Sequence, residues 1–201
     1  MYAIFLLTMF FTTEASDFTL QQLRHGFNTS IEQFYNTSEP IWTTFTRADA
    51  SFNLSCIVDV TFNTTLSNLY FERSYYWNQT RVKSPLRRAL NKRGTDRSSR
   101  TLVYDARRPI YEPQQPLFEE ELLYQSDDSS CGVFRYFKHP DVTRYDLRVR
   151  NCSLATEPHE NCTMFFNGTS KLRPSIREKL QERKVYEPKC QAILWSTDGC
   201  Q

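Results

Sequence analysis

The sequence predicts a mostly β protein, an antiparallel sandwich or an up-and-down barrel. Three observations carry this expectation. Aromatic residues make up 14% of the chain, with 15 Phe and 11 Tyr against only five Gly, a balance that suits pleated, half-buried strands and not a disordered chain. From Ile41 onward most segments alternate with a period of two, the signature of strands with two unlike faces. At 201 residues there is room for one domain with its own core and no sizeable second one.

The elements follow in order. Ala3 to Phe11 is a short apolar run closed by Thr13-Glu14-Ala15, which reads as a secretory signal peptide over residues 1–15 and is too short to span a bilayer. Residues 16–201 are then expected as a single domain. Leu23, Phe27, Ile31 and Phe34 recur at helical spacing, so an amphipathic helix is expected over Asp17–Tyr35, ended by Pro40. Strands are expected at Ile41–Arg47, Phe52–Val60, Asn68–Trp77, Arg100–Tyr104, Leu117–Gln125, Cys131–Lys138 and Thr143–Arg150, with a further one hidden in Arg81–Arg88. In the last full strand Tyr145, Leu147 and Val149 share one face, and Asp146, Arg148 and Arg150 the other. Leu172, Ile176 and Leu180 then predict a closing helix over Pro174–Lys184.

Eight of the ten Asn open an N-x-S/T sequon, where chance in a chain about one-fifth Ser and Thr would give about two. Asn28, Asn36, Asn53, Asn63, Asn78 and Asn167 are expected to carry glycans. Asn151 and Asn161 have Cys at the middle position and are expected to be poorly used. A secreted, extracellular glycoprotein is the reading. In that compartment six Cys form three disulfides, with fifteen pairings open.

The charge balance, 25 Lys+Arg against 23 Asp+Glu, excludes a global field for nucleic acid or an anionic membrane. It hides a polarity: residues 81–108 hold ten basic and two acidic side chains, a local +8, and are expected as a basic loop or insertion. Such a loop serves an anionic ligand or partner, or is a solvated surface. The acids Glu119-Glu120-Glu121 lie just beyond and read as a solvated strand edge. Enzyme chemistry is not expected: there is no G-x-S-x-G, no Gly-rich phosphate loop, no H-E-x-x-H and no C-x₂-C pair for zinc. No cofactor, catalytic residue or metal site is predicted.

Several landmarks together resemble the tick salivary lipocalins, the group that includes the histamine-binding proteins. They are the leading helix, Pro40-Ile41-Trp42 opening the first strand, Cys56-Ile57-Val58, Cys131-Gly132-Val133-Phe134, Tyr145-Asp146-Leu147, Cys162 to Phe166, and Val185-Tyr186 with Cys190. The resemblance implies an eight-stranded antiparallel barrel with an N-terminal and a C-terminal helix, acting as a monomer. It implies the bridges Cys56–Cys190 and Cys131–Cys162, which leave Cys152 with Cys200. It also implies a scavenger of a small host mediator, whether histamine, serotonin or a leukotriene-like lipid, that damps inflammation or haemostasis. The alternative on the same fold is an immunomodulator that binds a host protein. Trp42, Tyr76, Phe134, Arg135 and Asp146 are the expected ligand residues: aromatic walls and a carboxylate for an amine, or an arginine anchor for a lipid acid. The chain departs from the family at Arg148, where the family has Trp; an inward Arg there weakens an amine site.

Overall fold

The computed structural model describes residues 29–90, 100–138, 141–156, 158–171 and 180–194. The expected signal segment, the sequon at Asn28 and Cys200 lie outside the described residues. Among the described residues nine strands follow the short helix α1 (Ile31–Tyr35): β1 (Ile41–Ala48), β2 (Leu54–Thr64), β3 (Asn68–Trp77), β4 (Thr80–Ala89), β5 (Arg100–Asp105), β6 (Phe118–Gln125), β7 (Cys131–Lys138), β8 (Asp141–Arg150) and β9 (Gln181–Lys184). A second helix, α2 (Glu160–Gly168), lies between β8 and β9.

Strands β1 to β8 pair antiparallel with their sequence neighbours, and β8 returns to β1, so the eight close into a barrel. Closure leaves no long open edge. The seam is at β1. Its first residues pair with β2, Ile41 with Asp59 and Trp42 with Val58. β2 then leaves through a bulge at Cys56, whose φ is 53°. Along the vacated edge of β1 lies β9, with Phe45 opposite Lys184 and Ala48 opposite Gln181. Val185 bridges the split: its N–H donates to Thr44 O at 3.0 Å and its carbonyl accepts from Cys56 N at 2.8 Å.

Four sequence expectations need correction. The closing helix was expected to run to Lys184, but Gln181–Lys184 is strand β9, because the exposed half of β1 offers unpaired backbone groups that a strand can satisfy; residues 172–179 lie outside the described residues. The helix that follows the barrel is α2. The N-terminal helix does not run unbroken through residue 30: Ser30 is extended and caps α1, its side chain accepting from Gln33 N. Residues 81–108 are not a loop or insertion as a whole, since they supply β4 and β5 to the wall. Finally, the Glu119–Glu121 stretch is not wholly a solvated edge, because Glu120 is completely buried.

Apolar burial occurs on both sides of the wall. Inside, at the end carrying the β2–β3, β4–β5 and β6–β7 connections, α1 plugs the barrel with Ile31, Phe34 and Tyr35 against Leu69, Phe71, Val103, Leu122 and Phe134. Phe34 and Phe134 meet edge to face, 5.2 Å between ring centres. Outside, α2 lays Cys162, Phe165 and Phe166 over Val133, Tyr145, Leu147 and Val149. Further round, Cys190 and Ile193 cover Trp42 and Val58. Two disulfides fasten these covers, Cys131 to Cys162 and Cys56 to Cys190. Cys152 is also disulfide-bonded.

A buried ion layer beneath an open cavity

Strand parity determines what enters the barrel. On β3 the inward residues are Leu69, Phe71, Arg73 and Tyr75, rising from the plugged end toward the other end. On β8 the inward face is Arg144, Asp146 and Arg148, while Tyr145, Leu147 and Val149 face the outer cover. The charged face of that strand is therefore the interior one.

These residues stack in three layers. The lowest is the apolar plug. Above it lies a layer of three arginines and three carboxylates, Arg73, Arg88, Arg148, Asp59, Glu120 and Asp146, with side chains no more than 6% exposed. Glu120 is its hub. Arg148 Nη2 donates to Oε1 at 2.6 Å, Arg88 Nη2 to Oε2 at 2.5 Å and Arg73 Nη2 to Oε1 at 3.0 Å. Arg73 also forks onto Asp59 with bonds of 2.6 and 2.7 Å. Asp146 accepts from Arg148 at 3.0 Å, from Thr46 at 2.8 Å and from Arg144 at 3.1 Å. The Tyr35 hydroxyl links α1 to the layer, donating to Asp59 and accepting from Arg148 and Arg88.

Three formal charges of each sign make the layer neutral, which is what lets ions persist away from water. Several arginine N–H groups still lack acceptors among the described residues: Arg88 Nε and Nη1, and Arg148 Nε. Ring faces offset part of that cost, since Arg88 lies 4.0 Å above Tyr35 and Arg148 4.3 Å above Phe134. Burial alone raises the carboxyls of Glu120 and Asp146. The facing arginines overcome it, holding Glu120 well below the usual carboxylate range through Arg148, Arg73 and Arg88, and Asp146 below it through Arg144 and Arg148. Tyr35 is pushed up by burial and stays a neutral phenol.

The third layer is a cavity of about 290 Å³ at the end bearing the β1–β2, β3–β4, β5–β6 and β7–β8 connections. Leu54, Tyr75, Leu86, Phe118 and Tyr136 supply its apolar and aromatic wall; Phe118 and Tyr136 stack at 4.7 Å. Besides Arg73 of the neutral layer, Arg144, Lys138 and Arg107 line it against Asp105 alone, a formal excess of two positive charges. Arg107 is already paired with Asp105 at 2.7 Å, and that bonding holds the carboxyl down to about 2. Arg73 Nη1 and both Nη atoms of Arg144 have no hydrogen-bond acceptor among the described residues. These two side chains are nine-tenths or more buried, so the cavity floor carries guanidinium donors without partners among the described residues. Arg144 is held in place by Tyr136, 4.1 Å beneath it.

The five expected ligand residues are not brought together. Phe134 is interior but belongs to the plug, and Asp146 is interior but spent on two arginines and Thr46. Trp42 faces outward under the C-terminal segment, stacked edge-on against Tyr186 at 5.0 Å, with its indole N–H on Asn151 Oδ1. Tyr76 also packs on that outer cluster, and Arg135 pairs with Glu121 on the outer wall. Sequence reading missed Arg73, Arg88, Glu120 and Tyr136. The available signal was that Arg73 shares a strand face with Phe71 and Tyr75. Among the described residues no helix is long and apolar enough to cross a membrane, and no group of three or more His, Cys, Asp or Glu could hold a metal.

No family model matches the chain, and no curated protein does. Solved structures do. AM182, determined as a serotonin complex, matches with a TM-score of 0.56 at 16% identity, over 82% of this chain and 94% of that one. Apocrustacyanin C2 matches with a TM-score of 0.52 at 7% identity, over 86% and 88% of the two chains. Japanin from Rhipicephalus appendiculatus, bound to cholesterol, gives 0.48 at 11% identity over 75% and 95%. At these identities the likeness is one of architecture, and the architecture of this chain is the closed eight-stranded lipocalin barrel.

Proposed function

We propose that the protein is a secreted, glycosylated lipocalin that sequesters a small amphipathic anion from host fluid, with residues 1–15 as its leader and 16–201 as one monomeric binding domain. The carrying observation is the cavity floor, where Nη atoms of Arg73 and Arg144 that have no acceptor among the described residues give a positive potential beside an aromatic-walled space. A carboxylate or sulfonate seated there gains charge-assisted hydrogen bonds, while its apolar body covers Tyr75, Phe118 and Tyr136. Between the two mediator classes that the sequence leaves open, this favours the acid over the amine. An amine needs an unspent inward carboxylate, and Asp59, Glu120 and Asp146 are each already bound by arginine. Arg148 is buried and inward, the orientation that weakens an amine site. No step of bond chemistry is needed; capture alone removes the mediator.

The test compares two probes on one aromatic skeleton, indole-3-acetate and serotonin, by isothermal titration calorimetry on the intact protein. The acid is expected to bind at least tenfold more tightly, and Arg144→Gln is expected to abolish that preference. Tighter binding of serotonin overturns the proposal.

A second reading, capture of a host protein, is favoured by the exposed Trp77 at the end of β3 and Ile110, Tyr111 and Leu117 in the β5–β6 connection, all at the cavity end. A pull-down from host serum with Trp77→Ser and Tyr111→Ser tests it; retention unaffected by both substitutions counts against it.

A further inference from the structure

We infer that the ion layer is a fixed floor that sets ligand length, so that the cavity takes compact anions and rejects long-chain fatty acids. This rests on the anion reading above and deepens it.

Strand β6 shows the full vertical order, and β4 and β7 each show part of it. On β4, Leu86 lines the cavity and Arg88 lies in the ion layer; on β7, Tyr136 lines it and Phe134 belongs to the plug. On β6, Phe118 lines the cavity, Glu120 is the hub and Leu122 is in the plug. Among the described residues, the positions below the cavity are occupied by buried side chains. Arg73, Glu120 and Arg148 interlock across the barrel through contacts of 2.6 to 3.0 Å, and directly beneath them Tyr35 and Phe134 are fully buried.

A tail that threaded further would have to separate these ions in a water-free interior, leaving charges without partners. It would then meet the plug, which has no slack: a methyl placed on Gly132 would lie 2.9 Å from the Phe34 ring and 3.0 Å from Leu122. The usable space is therefore the cavity above, about 290 Å³, at the lower edge of the roughly 300–1,000 Å³ of small-molecule sites. On this reading an eight-carbon acid or a two-ring aromatic acid is housed above the floor, and a sixteen-carbon chain is not.

The experiment is displacement of 1-anilinonaphthalene-8-sulfonate fluorescence from the wild-type protein by straight-chain carboxylates of six to sixteen carbons. Affinity is expected to rise to about eight to ten carbons and to fall at least tenfold by sixteen. A steady rise through sixteen carbons overturns the fixed floor and leaves the anion reading standing. Failure of the sulfonate and every carboxylate to bind, with serotonin binding in calorimetry, overturns both. Because the series uses unaltered protein, a folding defect cannot imitate any of these results.

Discussion

Arg148 meets Glu120 fork to fork, with Nη2 on Oε1 at 2.6 Å and Nη1 on Oε2 at 3.2 Å, inside the barrel and out of contact with water. Removing one member of such a pair strands its partners. Glu120→Gln leaves Arg73, Arg88 and Arg148 without their shared carboxylate and is expected to cost about 3–5 kcal/mol. Glu121→Gln, on the partly exposed outer pair with Arg135, is expected to cost less than about 1 kcal/mol. Urea denaturation midpoints of the two variants measure the contrast, and equal losses would refute the hub role of Glu120.

The same layer dictates a pH profile. Glu120 and Asp146 titrate below their unfolded values, which are about 4.3 and 3.9. A depressed carboxylate contributes stability that is complete above its unfolded pKa and disappears as pH falls through the folded value. Stability is therefore expected to be level with respect to these two groups from pH 7 to about 5 and to drop below about 4. Denaturation at stepped pH values checks this, and a drop centred near neutrality would contradict it.

Gly132 is held to glycine by space. An added methyl meets Phe34, Leu122 and the Tyr124 carbonyl at 2.9, 3.0 and 3.1 Å. Gly132→Ala is expected to destabilise by about 1–3 kcal/mol through overpacking. Since the strain falls on the plug and not on the cavity, probe affinity should be retained at temperatures where the variant remains folded. Thermal unfolding followed by calorimetry, with titration at low temperature, separates the two effects.

The bridge from Cys131 to Cys162 fixes α2 to the outer wall across a sequence separation of 31 residues. Replacing both with Ser is expected to lower stability by about 2–4 kcal/mol, and hydrogen exchange should quicken first in Glu160–Gly168. Uniform acceleration across the barrel would show that α2 is not a separable cover.

The strands were legible in the sequence because alternation survives wherever one wall face differs chemically from the other. Which face is interior was not. On β8 the sequence separates Tyr145, Leu147 and Val149 from Asp146 and Arg148 without saying which set is inside; α2 covers the apolar set from outside, and Asp146 and Arg148 fill the barrel. A local pattern does not reveal what will later fold over a wall. Glu120 and Arg88 were missed for a related reason: each looks solvated beside its charged neighbours and becomes intelligible only when strands 32 residues apart in sequence meet. Trp42 and Tyr76 were read as ring faces for a ligand because aromatics on strands suit either side, and here the disulfide-bound C-terminal segment claims the outer one. The helix expected to end at Lys184 failed because its final residues complete the edge of β1, a tertiary demand absent from the segment itself.

The covers on the outer wall have a consequence for how such a protein can change. Because α2 and the Cys190 segment give the strands their apolar backing from outside, the upper interior is relieved of acting as the only core. Tyr75, Ser84, Tyr136 and Lys138 can be exchanged for residues of different shape and charge while the frame keeps its support. A lineage of these barrels could thus drift from one cargo to another by altering a few rim-side positions, with frame and specificity evolving on opposite sides of a single sheet.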